Sequence, residues 1–411
     1  MLRRLGVRGY KSIREAEINL PQLTVLFGPN AAGKSNLLDA IQSLSRLASE
    51  RTVSEALSEP IRGYAIEAFS FSQGGLSALL SQPLAGFTLE ADLVVGKECF
   101  RYRVGIAIQP ATGSLSVQDE YLTALKASGE PKGSPAIGKV EGELRIRRRT
   151  KPGHPRQEPV GQNHTILSDP RLGGSEYRQI ARCREDLLGW RVYYLDPRVA
   201  MRSAKPPTEV VDIGVLGENI APFMYRLKAE NPAPFAAVKR TLRSIIPSIE
   251  DLEVDLDKRR GTLDILIRQD DTDYSTRIVS EGTLRVLALC CIAVNPWGGS
   301  LIAFEEPENG VHPRRIELIA KLLTALALEH GRQVIVTTHS PLFCDAILRI
   351  GEDSLDKIAL LNVRHDASGT VVTPFSTLGP LFKDKDIAQR LTAPSEDGLF
   401  EHLVMRGLLD A

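Results

Sequence analysis

The sequence predicts an α/β protein, a largely parallel sheet with an antiparallel β annex, and three observations predict it. Strand and helix patterns alternate from 300 to 361, the order that lays strands side by side in parallel. The apolar run Leu23-Thr24-Val25-Leu26-Phe27 leads through a glycine-bounded turn into an amphipathic helix, as a strand covered on both faces does. Two alternating segments, 87–95 and 99–108, flank Gly96-Lys97-Glu98 and read as a hairpin.

The elements follow in order. Strands are expected at 17–20 and 23–27, then a helix to residue 48 in which Leu37, Leu38, Ile41, Leu44 and Leu47 fall on one face. Between 110 and 185 the texture changes: Pro, Gly, Ser and Arg accumulate and periodicity fades. An inserted arm is expected there, at 109–189, between an N-terminal lobe at 1–108 and a C-terminal lobe at 190–411 with a short extension. The arm carries Arg145, Arg147, Arg148, Arg149, Lys151 and Arg156 with no acidic residue among them. Order returns with a strand at 190–195, helices at 220–228 and 235–246, strands at 252–256 and 263–267, and a helix at 283–294 that complete a helical lobe. The alternating part holds strands at 300–304, 333–337 and 357–361 and helices at 313–329 and 341–348.

Composition excludes several classes. With 411 residues, 43% hydrophobic and 25% charged, the chain is globular and long enough for roughly two to three domain-sized units. Its 51 basic residues cancel 51 acidic ones, so bulk charge does not hold it on nucleic acid or anionic membrane, and a polyanion must meet a local patch. The longest apolar stretch, 286–294, is about half of a bilayer span. Met1-Leu2-Arg3-Arg4 has no apolar signal core behind it, and a cytoplasmic location is expected. Cys99, Cys183, Cys290, Cys291 and Cys344 form no C-x-x-C pair, which points to reduced thiols and not to a disulfide framework or zinc site.

Four motifs carry chemistry. Gly28-Pro29-Asn30-Ala31-Ala32-Gly33-Lys34-Ser35 fits G-x-x-x-x-G-K-S/T and lies between a strand and a helix. Its backbone N–H groups would converge on phosphate oxygens, with Lys34 opposing the β- and γ-phosphates and the Ser35 hydroxyl on Mg²⁺. Leu301 to Phe304 form a buried strand ending in Glu305-Glu306; one carboxylate suits a metal and the next an attacking water. A third strand ends in Thr337-Thr338-His339, where a histidine could bond a phosphate oxygen or hold that water. Ser280 opens the 283–294 helix with Gly282 beside it, an N-terminus able to receive an anion and, taken singly, only a helix cap.

In this order the motifs resemble the ABC-type ATPase head of the SMC, RecF and OLD group, a P-loop NTPase fold, and in particular its stand-alone AAA-like bacterial members. The likeness runs through Tyr10-Lys11-Ser12-Ile13, Gly28 to Asn36 with Leu37 to Ala40, Ser280-Glu281-Gly282-Thr283-Leu284-Arg285, Glu305 to Pro313, and Thr337 to Pro341. It covers 1–108 and 190–350. ATP and Mg²⁺ are the cofactors it implies, with Ser35 and Glu305 on the metal and Lys34, Glu306 and His339 in catalysis. Glu308 to His312 resemble the D-loop, and Ser280 and Gly282 would reach a nucleotide bound by the other protomer of a homodimer. Glu305 stands where Asp is commoner, and Ser-Glu-Gly replaces Ser-Gly-Gly; slow turnover is implied. Gln73, Gln109 and Gln118 all remain candidates for the Q-loop.

No Toprim nuclease domain is expected in the residues after Pro341, where Asp384 and Asp386 lack strand context, and the 110–185 stretch has no heptads for an SMC-type arm. The resemblance therefore implies an ATP-gated regulatory scaffold or sensor for a separate effector, a nuclease or toxin, in bacterial anti-phage defence. A RecF-type ATPase that clamps DNA in repair is the alternative. The basic run would meet nucleic acid or an acidic face of the effector.

Overall fold

The computed structural model describes residues 1–71, 74–151, 153–375 and 398–405. Among them the strands form three sheets. The one that positions the site has six strands, in the order Trp190–Tyr193, Leu301–Glu305, Gln333–Thr338, Leu23–Phe27, Ile358–Asp366 and Gly369–Pro374. The first five are parallel and the last is antiparallel. Both faces of this sheet are covered, which is why its central strands read as unbroken apolar runs. Leu26, Ala303, Ile335 and Leu361 share a core with Leu37, Leu38, Ile41 and Leu44 of the helix Lys34–Ser49. Val25, Phe27, Ile302, Phe304, Val334 and Val336 point the other way, onto the helices Glu281–Val294, Ile316–Leu328 and Pro341–Ile350.

The second sheet is antiparallel and runs Ile13–Asn19, Leu2–Tyr10, Ala85–Val95, Glu98–Gln109, Ser114–Leu125, Ile137–Val140, Glu143–Ile146 and Arg156–Pro159. Its inner face, with Leu5, Val7, Leu89, Leu93, Tyr102 and Val104, closes on the outer side of Lys34–Ser49. One helix thus lies between two sheets and carries side chains from both. The third sheet, Asp251–Asp257, Thr262–Gln269 and Thr272–Ser275, packs on the helices Ile220–Glu230 and Pro232–Ile245.

The stretch expected as an arm begins inside the antiparallel sheet, because Ser114–Leu125 pairs with Glu98–Gln109 along its length, across the boundary placed at 109. The alternation is hard to read there since the register shifts between Gly105 and Ile106 and since Glu120 is buried where an apolar residue belongs. The same stretch holds the helix Arg178–Leu188. The helix expected from 313 starts as a 3₁₀ turn, Pro313–Arg315, and becomes α-helical at Ile316–Leu328. No described helix is long and apolar enough to cross a membrane. Gln73, Asp384 and Asp386 lie outside the described residues.

Candidate functional site

Three neighbouring parallel strands end level with one another: Phe27 lies opposite Thr338, and Thr337 opposite Glu305. The 28–33 loop, Glu306 and His339 therefore all leave from one edge, the carboxyl edge where open α/β sheets bind ligands. The loop is bent by its glycines. Gly28 and Gly33 have φ of 147° and 103°, and Ala31 joins them at 63°. A Cβ on Gly28 would lie 2.1 Å from the Val363 carbonyl oxygen, and one on Gly33 would lie 2.1 Å from Thr370 Oγ1. Side chains at either position have no room, and of the loop's amides that of Ala32 already donates to the Pro29 carbonyl at 3.4 Å.

Gly33 caps the helix Lys34–Ser49 with no side-chain bond, so the positive end of the helix faces the loop uncovered. Lys34 Nζ donates to the carbonyls of Gly28 at 2.6 Å and Pro29 at 2.9 Å, across the mouth of the loop. Burial pulls the Lys34 ammonium below its ordinary pKa, against the opposing attraction of Glu306, Glu305 and Glu308. Asn30 and Ala31 are exposed, while Ala32 is buried and its carbonyl accepts from Thr370 Oγ1 at 3.1 Å. Asn36 Nδ2 donates to Ser12 Oγ at 2.6 Å, and Ser12 meets Thr370 at 2.7 Å. The Tyr10-Lys11-Ser12-Ile13 corner is thereby tied to the back of the loop.

Ser35 Oγ donates directly to Glu305 Oε1. A hydroxyl and a carboxylate oxygen are hard donors, and two of them beside a phosphate cradle fit Mg²⁺, which takes one or two protein oxygens and completes its shell with water and phosphate. Glu306 adopts a left-handed backbone, φ 45°, uncommon for a side-chain-bearing residue. Its N–H is held by the Thr337 carbonyl at 3.0 Å, and its Oε1 lies 3.0 Å from His339 Nδ1. The fold thus brings together Lys34, Ser35 and Glu305 in one group and Glu306 and His339 in the next.

The signature segment is placed differently. Ser280 Oγ accepts from the Thr283 N–H at 3.1 Å as the cap of its own helix, and among the described residues it has no hydrogen bond to the phosphate loop, Glu305 or Glu306. A Cβ on Gly282 would fall 2.2 Å from the Gly310 carbonyl oxygen, so the helix start lies flat on the 308–312 turn of the same chain. Arg285, one turn further, lines a cavity of about 300 Å³ with Tyr194, Leu195, Glu305, Glu306 and Asn309. Glu308 is buried and accepts from the Thr338 hydroxyl; burial pushes its carboxyl up to about 6. Gln109 ends a strand at a hairpin and Gln118 donates to Ser116 at 2.9 Å, and neither bonds to the phosphate loop among the described residues.

Acidic residues outside the basic run lie beside two of its cations. The turn between two strands sets Glu141 against Arg145 at 3.4 Å, and Glu158 lies against Arg156 two residues along the same strand, while the Arg149 backbone N–H donates to the Glu176 backbone carbonyl at 3.0 Å. Sequence reasoning quoted Lys11 and Asp39 without giving them a role, and missed Arg62 and Tyr194. Asp39, fully buried on the phosphate-loop helix, accepts from Lys11 Nζ at 2.5 Å, Arg62 Nη2 at 3.1 Å and Tyr194 OH at 2.6 Å. Arg62 Nη1 also lies 3.2 Å from Glu305 Oε1. The available signal was Asp39 itself, a carboxylate between Leu38 and Ala40 on a face that packs inward.

The family model described as "AAA domain, putative AbiEii toxin, Type IV TA system" matches residues 23–133 and 228–345, more than half of the chain. A DNA replication and repair protein RecF from Synechocystis sp. is 34% identical over 93 residues, which is 22% of this chain and 22% of that protein. The chain thus spans about a fifth of the length of this curated relative. A crystal structure of an SmcHead bound to the C-winged helix domain of ScpA is 16% identical, with a TM-score of 0.55 over 91% of this chain and 98% of that one. By this match the chain belongs to that AAA family, and its fold is the ABC-type ATPase head of the SMC and RecF group.

Proposed function

We propose that the chain binds ATP with Mg²⁺ and hydrolyses it slowly, to ADP and phosphate. The observation that carries this reading is the convergence of Lys34, the Ser35–Glu305 pair and the Glu306–His339 pair at the level ends of three adjacent strands. Lys34 exchanges the carbonyls of Gly28 and Pro29 for phosphate oxygens, and the amides of Asn30 to Asn36 surround the triphosphate. Ser35 and Glu305 would hold the ion, which would supply positive charge against the phosphates. Glu306 orients the attacking water and accepts its proton at a carboxylate oxygen. His339, 3.0 Å away, fixes the position of that carboxylate.

Glu306→Gln keeps the shape of the site and removes the basic oxygen. It should retain ATP binding, lower phosphate release by at least roughly 100-fold and accumulate a closed oligomer. Lys34→Ala should abolish nucleotide binding. Release at the wild-type rate from Glu306→Gln would sink the assignment.

Among the described residues Ser280 bonds only to its own helix, at the surface, which favours a homodimer in which Ser280 and Gly282 serve the partner's nucleotide. The dimer then acts as a scaffold or sensor for a separate effector, a nuclease or toxin, in bacterial anti-phage defence. Two things support this part: the family description names a toxin of a toxin–antitoxin system, and the SmcHead was crystallised with a second protein. A second reading, a RecF-type DNA-clamping ATPase, rests on the 34% identity over 93 residues. Binding of duplex DNA by ATP-locked Glu306→Gln separates the two, since the scaffold reading expects a protein partner to be captured and the repair reading expects the duplex.

A further inference from the structure

We propose that Arg62 holds the place of the divalent cation on Glu305 and leaves it when the ion arrives with its nucleotide. The inference rests on the reading that Ser35 and Glu305 are the metal ligands. One carboxylate oxygen, Glu305 Oε1, accepts both the Ser35 hydroxyl and Arg62 Nη1, the latter at 3.2 Å. The oxygen a metal needs is therefore engaged by a positive group whose charge it satisfies.

Arg62 is anchored by groups outside the metal pair. Its Nη2 lies 3.1 Å from Asp39 Oδ2, and its guanidinium carbon stands 5.2 Å from the centre of the Tyr194 ring. Tyr194 OH in turn donates to the other Asp39 oxygen at 2.6 Å. Burial alone would lower the Arg62 pKa; the carboxylates of Asp39 and Glu305 outweigh it and hold the value above the ordinary one. Arg62 is a cation at every working pH.

Two consequences follow from charge and geometry. A divalent ion binds a carboxylate oxygen at about 2.1 Å, inside the space now taken by the hydrogen-bonded Arg62, and the two cations repel. Mg²⁺ on Glu305 therefore displaces Nη1, while Asp39 and Tyr194 keep the side chain close. Without nucleotide, nothing adds to the pull of Glu305 and Ser35 on the ion, and Arg62 wins. The device raises the metal concentration needed to fill the site, with or without nucleotide, and keeps Glu305 neutralised in the empty head.

The test uses the full chain and measures binding, not turnover. Mn²⁺ is titrated into nucleotide-free protein by electron paramagnetic resonance, and Mg²⁺ into protein holding a fluorescent ADP. Removing the placeholder in Arg62→Gln should lower the half-saturating metal concentration in both by about fivefold, the equivalent of one half-exposed ion pair. Adding Glu305→Gln should abolish the gain. Arg62→Lys keeps a charge on Asp39 but has a single point of attachment, and should shift the same way by a smaller factor. Unchanged or higher half-points in Arg62→Gln overturn the proposal, as does an unchanged Arg62→Lys where Arg62→Gln cannot be obtained folded. Failure of the wild-type chain to bind ADP at any Mg²⁺ concentration would instead overturn the nucleotide reading beneath it.

Discussion

Replacing Glu120 by glutamine should flatten the pH dependence of stability between about pH 4.5 and 7. Glu120 is fully buried in the antiparallel sheet, where its two oxygens accept from Ile166 N–H at 2.6 Å, Leu167 N–H at 2.9 Å and Tyr102 OH at 3.1 Å. Burial outweighs these donors and pushes the carboxyl up from 4.5 to about 7. The folded chain then keeps a proton that the unfolded chain has released, so this group's contribution is full below pH 4.5 and is lost as pH rises through 7. The loss amounts to about 2.5 kcal/mol between pH 5 and 8, at about 1.4 kcal/mol per pH unit where it is steepest. Glutamine has no proton to lose. It turns an NH₂ toward one of the donors and costs about 1–3 kcal/mol, but equally at every pH. Urea unfolding of both proteins, followed by tryptophan fluorescence at pH 5, 6, 7 and 8, should give wild type the advantage at pH 5 and a gap that closes or reverses by pH 8. Parallel stability curves would refute the reasoning. The loop that Glu120 clamps also holds the far end of the phosphate-loop helix: Thr165 Oγ1 donates to the Leu47 carbonyl at 2.6 Å.

Composite sites predict complementation. Mixing Ser280→Arg with Lys34→Ala protein should restore at most one working site per dimer, measured as phosphate release that neither variant shows alone; full activity of the wild type as a monomer at high dilution contradicts it. Arg147, Arg148 and Arg149 test the nucleic-acid partner: if the run lies on DNA, neutralising all three should flatten the log–log salt slope of binding by up to about three units with ATPase activity intact. Gly282→Ala should destabilise the head by about 1–3 kcal/mol, because the new Cβ would lie 2.2 Å from a backbone oxygen that cannot rotate away. Equal melting of this variant and wild type would show that the 308–312 turn yields.

The parallel half of the fold was legible because its physics is local. Leu23 to Phe27, apart from the buried Thr24, and Leu301 to Phe304 are apolar since both faces of their sheet are covered, and the motif residues sit where each strand stops. The antiparallel half was harder. Leu2–Tyr10 buries Leu2, Leu5, Val7 and Tyr10 at intervals of three and two, through an irregularity between Leu2 and Arg4, so no clean alternation marks it. Ser114–Leu125 of the same sheet hides the buried Glu120 beside the half-buried Asp119. Both depend on partners distant in sequence, and pattern alone cannot supply those.

The same division separates the site residues. Lys34, Ser35, Glu305, Glu306 and His339 could be placed together from the sequence because each is fixed to a strand end or a helix start at one sheet edge. Arg62 follows none of these rules, as it lies in the irregular segment between Leu57 and Ala65 and its side chain is placed by Asp39, Tyr194 and Glu305, which are distant from one another in sequence. Asp39 is the link between the two kinds. It sits on the helix that the phosphate loop begins, and its burial binds Lys11, Arg62 and Tyr194 to that helix at once. A buried carboxylate with fewer than two cationic partners would be costly there. Its requirement for charge is what brings an arginine within reach of Glu305, so the residue that the sequence left unexplained accounts for the contact that the motifs could not foretell.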